Sequence, residues 1–150
     1  MKKVALLLSG QIRRLDLCFY NFKKFILDVY NPDIYIEVSK DKYTKEVYKY
    51  FSEEESSSFN IREDIKITKT IGTPYDAGMV GNIKQVERVQ RYFQQLMGLY
   101  MVYKSMQATN INYDFIIRSR FDINLKSALP NFDTLDKSIY SKYFLFFIKV

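Results

Sequence analysis

Val4-Ala5-Leu6-Leu7-Leu8 is an unbroken apolar run near the start of the chain. It is far too short to span a membrane, and it lacks the alternation of a strand with one wet face. It therefore reads as a strand covered on both sides, which demands helices above and below it. The sequence supplies them in turn. After Ser9-Gly10-Gln11-Ile12-Arg13-Arg14, the residues Leu15, Cys18, Phe19, Phe22, Phe25, Ile26 and Val29 recur at helical spacing, and Asn31-Pro32 ends the helix. Asp33 to Ser39 alternates around Ile34, Ile36 and Val38 as a second strand. Asp41 to Phe51 is expected to form a short helix with Tyr43, Val47, Tyr50 and Phe51 inward.

Asn60 and Glu63 have capping-box spacing and predict a brief helical turn. Asp64 to Thr70, alternating through Ile65 and Ile67, reads as the third strand. Ile71 to Gly81 carries Gly72, Gly78, Gly81 and Pro74, a loop composition matching no dinucleotide or Walker fingerprint. Asn82 and Gln85 then predict the start of a long helix reaching Thr109, with Val86, Val89, Phe93, Leu96, Met97, Tyr100 and Met101 as its buried stripe. Tyr113 to Asp122 opens as a fourth strand through Phe115, Ile116 and Ile117.

This order predicts an α/β fold, a Rossmann-like three-layer sandwich on a mostly parallel sheet. One domain is expected over 1–150, with its core in 3–126 and 127–150 as an irregular or incomplete C-terminal segment. Within that segment Ile139-Tyr140 and Tyr143 to Ile148 are candidate strands.

Composition removes several chemistries. The chain has no His and one Cys, so Ser-His-Asp and Cys-His catalysis, His-bound zinc and internal disulfides are all excluded. Cys18 falls on the apolar face of the first helix and reads as packing. The net charge of +6 favours acidic partners, but the basic residues are dispersed. No secretory leader or transmembrane segment is expected, and the location is read as cytoplasmic.

Two stretches carry chemistry. Arg118, Arg120 and Asp122 stand at i, i+2 and i+4, so an extended chain projects them from one face. Such charges must be paired or solvated. One reading is a structural Arg–Asp cluster; the other is an anion site with a positioning or metal-binding carboxylate. In the strand order 3-2-1-4 this segment meets the Ser9–Arg14 loop at the carboxyl edge of the sheet, where open α/β folds bind ligands. Ser9 and Gly10 allow a sharp turn into the helix. Its free N–H groups, with Arg13 and Arg14, suit a phosphate. Asp122 is the candidate ligand for Mn²⁺ or Mg²⁺ bridging phosphate oxygens.

The pair of motifs, Ser9-Gly10-Gln11-Ile12-Arg13-Arg14 and Tyr113-Asp114-Phe115-Ile116-Ile117-Arg118-Ser119-Arg120-Phe121-Asp122, resembles bacterial and viral glycosyltransferases with a nucleotide-diphospho-sugar transferase (GT-A-like) fold. Asn31-Pro32-Asp33-Ile34-Tyr35-Ile36 and the long helix before the Arg-rich strand extend the likeness over 3–126. The resemblance implies a nucleotide-sugar donor at the carboxyl edge, held by Ser9, Gly10, Gln11, Arg13, Arg14, Arg118, Arg120 and Asp122, and a sugar passed to a glycan or other acceptor in polysaccharide biosynthesis. It places Arg120-Phe121-Asp122 where relatives carry Asp-x-Asp. Arg120 replaces the first acid, leaving Asp122 alone as metal ligand. Gln94 and Gln95 reach either donor or solvent.

No catalytic base is assignable. Such enzymes need further chain for the acceptor, so the chain is expected to be truncated or to be the nucleotide-binding half of an enzyme. The alternatives are a degenerate non-catalytic nucleotide-binding domain, a nucleic-acid-binding module, and a membrane-surface protein using the Tyr143–Ile148 tail. Nucleic acid is disfavoured because the aromatics fall on buried faces. Arg62 is expected in a surface turn, and Asp122→Ala and Arg118→Ala are expected to lower nucleotide-sugar affinity more than Arg62→Ala.

Overall fold

The computed structural model describes residues 2–52, 56–63, 83–129, 139–142 and 145–149. The first apolar run forms β1 (Val4–Gly10), buried through Ser9. The chain then enters α1 (Leu15–Phe22), widens into a π-helical turn over Lys23–Leu27, and closes with the short α2 (Asp28–Tyr30). Asn31, with φ 42°, takes the left-handed cap that asparagine tolerates, and Pro32 follows. The π turn holds one residue more than an α turn, and this shifts the inward position from Val29 to Tyr30. Tyr30 packs on the core while Val29 is 57% exposed.

β2 (Asp33–Ser39), the four-residue α3 (Thr44–Val47) and β3 (Ser58–Arg62) come next. β3 replaces the helical turn expected at Asn60–Glu63. Pairing of Ser58 to Arg62 with Tyr35 to Ser39 satisfies the row of backbone groups that faces β2, and a lone capping box offers far less. The strand expected at 64–70, the glycine-rich loop and the Asn82 cap lie outside the described residues. α4 (Ile83–Gln107) leads to β4 (Phe115–Ser119). β5 (Ile139–Lys142) and β6 (Leu145–Lys149) give the 127–150 segment ordered strands rather than a wholly irregular course.

The sheet order is β3-β2-β1-β4-β6-β5. β3, β2, β1 and β4 are parallel neighbours, and β6 and β5 add antiparallel beyond β4. This is the Rossmann-like α/β arrangement, with the switch in strand order between β1 and β4. The segment at 145–149 is thus a strand paired on both sides, between β4 and β5.

Two apolar clusters fill the two faces. On one, Leu6, Leu8, Ile36, Val38 and Ile117 meet Leu15, Phe22 and Ile26 from the first helical layer, with Val47, Phe51 and Phe121. On the other, Ala5, Leu7, Tyr35 and Ile116 meet Val102 and Met106 of α4. Each fully buried aliphatic side chain contributes about 1.5–3 kcal/mol. The inward face of α4 is therefore Gly98, Val102 and Met106. Of the stripe expected to be buried, Leu96, Tyr100 and Met101 are exposed. From Leu96 to Tyr103 the helix is apolar on every side except at Gly98, so periodicity alone could not choose its face.

At the amino edge the α4 side is closed by hydrogen bonds. The Tyr113 hydroxyl donates to Asp33 Oδ2 at 2.7 Å and lies 2.6 Å from the Tyr35 hydroxyl, which also meets Thr109 Oγ1 at 3.3 Å. Lys3 Nζ pairs with Asp33 at 2.8 Å. Burial, then the bonds to Tyr35 and Asp33, push the Tyr113 hydroxyl far above its usual range, so it remains a donor.

Candidate functional site at the carboxyl edge

Alternation along the strands decides which side chains share the α4 face. Ala5 and Leu7 face α4, so Ser9 follows them; Ile116 faces α4, so Arg118 follows it. Register then sets Arg118 beside Leu7, Glu37 beside Ser9, Asn60 beside Glu37 and Arg62 beside Ser39. The α4 face thus changes from apolar at its amino half to polar at its carboxyl half, while on the opposite face Leu6, Leu8, Ile36, Val38, Phe115 and Ile117 keep an apolar surface that ends at the buried Ser119.

Glu37 is the central group of this polar half. It is 2% exposed, in an interior strand. Its partner is Arg62, whose Nε lies 3.2 Å from Glu37 Oε1. The approach is too oblique for a hydrogen bond, so the contact is an ion pair by distance alone. Arg62 also donates from Nη1 to Gln94 Oε1 at 2.6 Å and from Nη2 to the Gln94 carbonyl at 2.9 Å, joining β3 to α4. Burial raises the Glu37 carboxyl above its usual range, and the Arg62 charge only partly opposes this. Arg62 is therefore no surface residue: it carries the charge facing a buried carboxylate. The alternation that put Ile34, Ile36 and Val38 on one face also put Glu37 on the other. In a strand covered on both sides, that was the available signal.

The expected site residues divide into three groups. Ser9 is buried and its Cβ lies under α4, 3.6 Å from where a Cβ on Gly98 would stand. Gly10, at φ 122°, supplies a backbone conformation that side chains resist, with open space around it. Gln11, Arg13 and Arg14 are exposed, and Ile12 between them is fully buried and anchors the loop. Arg14 itself is the N-cap of α1 in the left-handed region, at φ 54°, with no side-chain cap bond. Asp16 in the first turn already places negative charge against the helix dipole.

Arg118, Arg120 and Asp122 do not form one face. β4 ends at Ser119, and Phe121 turns back into the core. Beyond the strand Arg120 grips Asp122 with a two-pronged contact, Nε to Oδ1 at 2.9 Å and Nη2 to Oδ2 at 2.6 Å. The two charges thus pair locally, two residues apart on one segment. Each Asp122 oxygen accepts one bond from Arg120, so a cation there would share the carboxylate with that guanidinium. Among the described residues no three His, Cys, Asp or Glu side chains gather as a metal site. Arg118 is half-buried, and burial first, then the Arg120 charge, lower its pKa from the usual arginine value.

The two motifs do come together. Leu8 pairs with Ser119, so the chain leaves β1 and β4 side by side. Cys18, on α1, senses both Asp122 and Arg14. Burial pushes its thiol up, Asp122 adds to this, and Arg14 opposes; Cys18 is packing, as its position in the first helix implies. Gln94 is engaged by Arg62, and Gln95 is exposed.

The fold and the switch point define a Rossmann-like α/β domain with a polar carboxyl edge. No protein-family model, curated protein or solved structure matches the chain. The likeness to nucleotide-sugar transferases therefore rests on its two motifs. Among the described residues no helix is long and apolar enough to cross a membrane.

Proposed function

We propose that the chain is a glycosyltransferase-type domain, holding a nucleotide-diphospho-sugar whose sugar passes to a glycan or other acceptor. The observation supporting it is the β1–β4 register, which sets the Gly10–Arg14 loop beside Arg118–Asp122 where the strand order switches. Open parallel sheets bind ligands at that place. The exposed Arg13 and Arg14 offer guanidiniums to a diphosphate, and Gly10 lets backbone approach it. A cytoplasmic location accompanies this reading. Mn²⁺ or Mg²⁺ at Asp122 must share its two oxygens with Arg120. The occupied Asp122 favours the second reading, a nucleotide-binding domain without turnover.

A thermal-shift series with UDP-, GDP-, CMP- and dTDP-sugars, each with and without Mn²⁺, tests both. A ligand of the folded state raises Tm by mass action. The expected result is a rise with one nucleotide class, lost when the exposed Arg13 and Arg14 are both replaced by Ala. No rise from a folded chain rejects nucleotide binding. Slow release of free sugar from the bound donor separates an enzyme from a non-catalytic domain, and a larger rise with Mn²⁺ restores the metal.

A further inference from the structure

We infer that Arg62 is an anion-binding residue held in reserve: Glu37 draws it back from the carboxyl edge, and protonation of Glu37 releases it to an anionic ligand there. The register shows how far it is drawn back. Gly10, Val38 and Ile61 stand in one row across β1, β2 and β3, so Arg62 begins one residue beyond the level at which β1 ends. Its own register partner is Ser39, yet its guanidinium meets Glu37, two residues back along β2. The same head bonds Gln94 on α4 and passes 3.5 Å from where a Cβ on Gly98 would stand. The side chain is therefore folded toward the middle of the sheet, away from the edge that its backbone reaches. β3 lies two strand spacings from β1, about 10 Å, a distance that an extended arginine and a diphosphate together cover.

The hold on Arg62 depends on one charge. Its bonds to Gln94 go to neutral acceptors, and its Nε approaches Glu37 obliquely, leaving Nε and Glu37 Oε1 both buried without a hydrogen bond. A phosphate-like dianion offers a guanidinium two charge-assisted bonds at once. While Glu37 is ionised, however, moving Arg62 away strands a buried carboxylate, which is strongly unfavourable. A neutral Glu37 removes that penalty, and burial already favours the neutral form. The other groups around Glu37 do not replace this control. Arg118 on β4 stands two strands away with Ser9 of β1 between, Arg91 on α4 lies about one turn before Gln94, and Asn60 beside Glu37 on β3 is neutral. Beyond the strand ends Lys40 and Glu63 pair with each other in solvent. Of these groups Arg62 alone shifts the Glu37 carboxyl. The gate regulates the same edge as the nucleotide reading, and it rests on that reading only in taking this edge to bind an anion.

The test is a pH series on the full chain with sulfate, a tetrahedral anion whose charge stays constant across the carboxylate range. NMR reads the Arg62 Nε–H signal for binding and the Glu37 carboxyl carbon for protonation. Sulfate affinity should rise about tenfold as pH falls through the range in which Glu37 titrates, and by reciprocity saturating sulfate should move that titration up by about one pH unit. In Glu37→Gln the affinity should be high at every pH and its pH dependence gone, whereas Glu63→Gln should behave as the native chain. An affinity that ignores pH, a Glu37 titration that ignores sulfate, pH dependence kept in Glu37→Gln, or an unmoved Arg62 signal each overturns the proposal, and the first two need no variant. A melting-temperature rise with one nucleotide sugar, in a chain without this coupling, keeps the nucleotide reading and overturns the gate. Coupling to sulfate without a response to any nucleotide sugar supports the gate and rejects that reading.

Discussion

The two ends of the α4-facing side of the sheet solve burial of polar groups differently. At the amino edge Tyr35, Tyr113 and Asp33 exchange short hydrogen bonds, and the Asp33 carboxylate is met by Lys3 near solvent. At the carboxyl edge Glu37 is buried with an oblique ion pair, and three more arginine and aspartate side chains crowd the strand exits. The first arrangement is neutral and saturated, as expected of structural groups. The second keeps charge in a poorly solvated place, which is costly and is typical of ligand edges. Saturated hydrogen bonds and poorly solvated charge are thus divided along the same strands.

Breaking the Glu37–Arg62 pair should give the largest effect. Arg62→Ala leaves a buried carboxylate without its facing charge and should cost about 3 kcal/mol or more in urea unfolding. Adding Glu37→Gln to that variant should restore most of the loss; no restoration would mean Arg62 acts mainly by tying Gln94. At the saturated end, Tyr113→Phe deletes one hydroxyl and should cost about 1–2 kcal/mol in the same measurement. A loss rivalling that of Arg62→Ala would erase the distinction between the two ends.

The pH response sharpens it further. The folded chain holds the Glu37 proton more tightly than the unfolded chain, because burial raises that carboxyl. Its contribution to stability is therefore full below the ordinary carboxylate range and is lost as pH rises through the raised folded value. Relative to Glu37→Gln, the native chain should lose stability across that window, read from urea midpoints at stepped pH. A parallel course for the two would mean Glu37 titrates normally. The smallest effect belongs to Gly98→Ala. A Cβ there would sit 3.5 Å from Arg62 Nη2 and 3.6 Å from Ser9 Cβ, both ordinary contacts. Gaining helix propensity, the variant should be more stable by about 0.5–1 kcal/mol. A clear loss would show that α4 sits closer to Ser9 than these distances say.

Much of the fold was legible because the informative residues act locally. Val4 to Leu8, the Leu15–Phe22–Ile26 spacing and the Asn31-Pro32 stop define β1, α1 and the entry to β2 without long-range help. β3 was misread because Ser58 to Arg62 has weak preference of its own, and its partner Tyr35 to Ser39 decides it. The face of α4 was hidden by apolar residues on all its sides. The site was half legible. The loop and the Arg-rich strand meet, but Arg120 and Asp122 pair beyond the strand end, where alternation no longer holds. Glu37 and Arg62 were missed because each looks like an outward polar residue until both sides of the sheet are covered.

The antiparallel seat of β6 has a consequence for synthesis. β1, β2, β3 and β4 all emerge from a ribosome before residues 139–149, yet β4 owes one whole flank to Leu145–Lys149. Until that segment arrives, the Phe115–Arg118 backbone is an open ladder that another chain can join. Nascent copies that stall before residue 139 are therefore the ones expected to clump, and quick completion of the last strands acts as their protection.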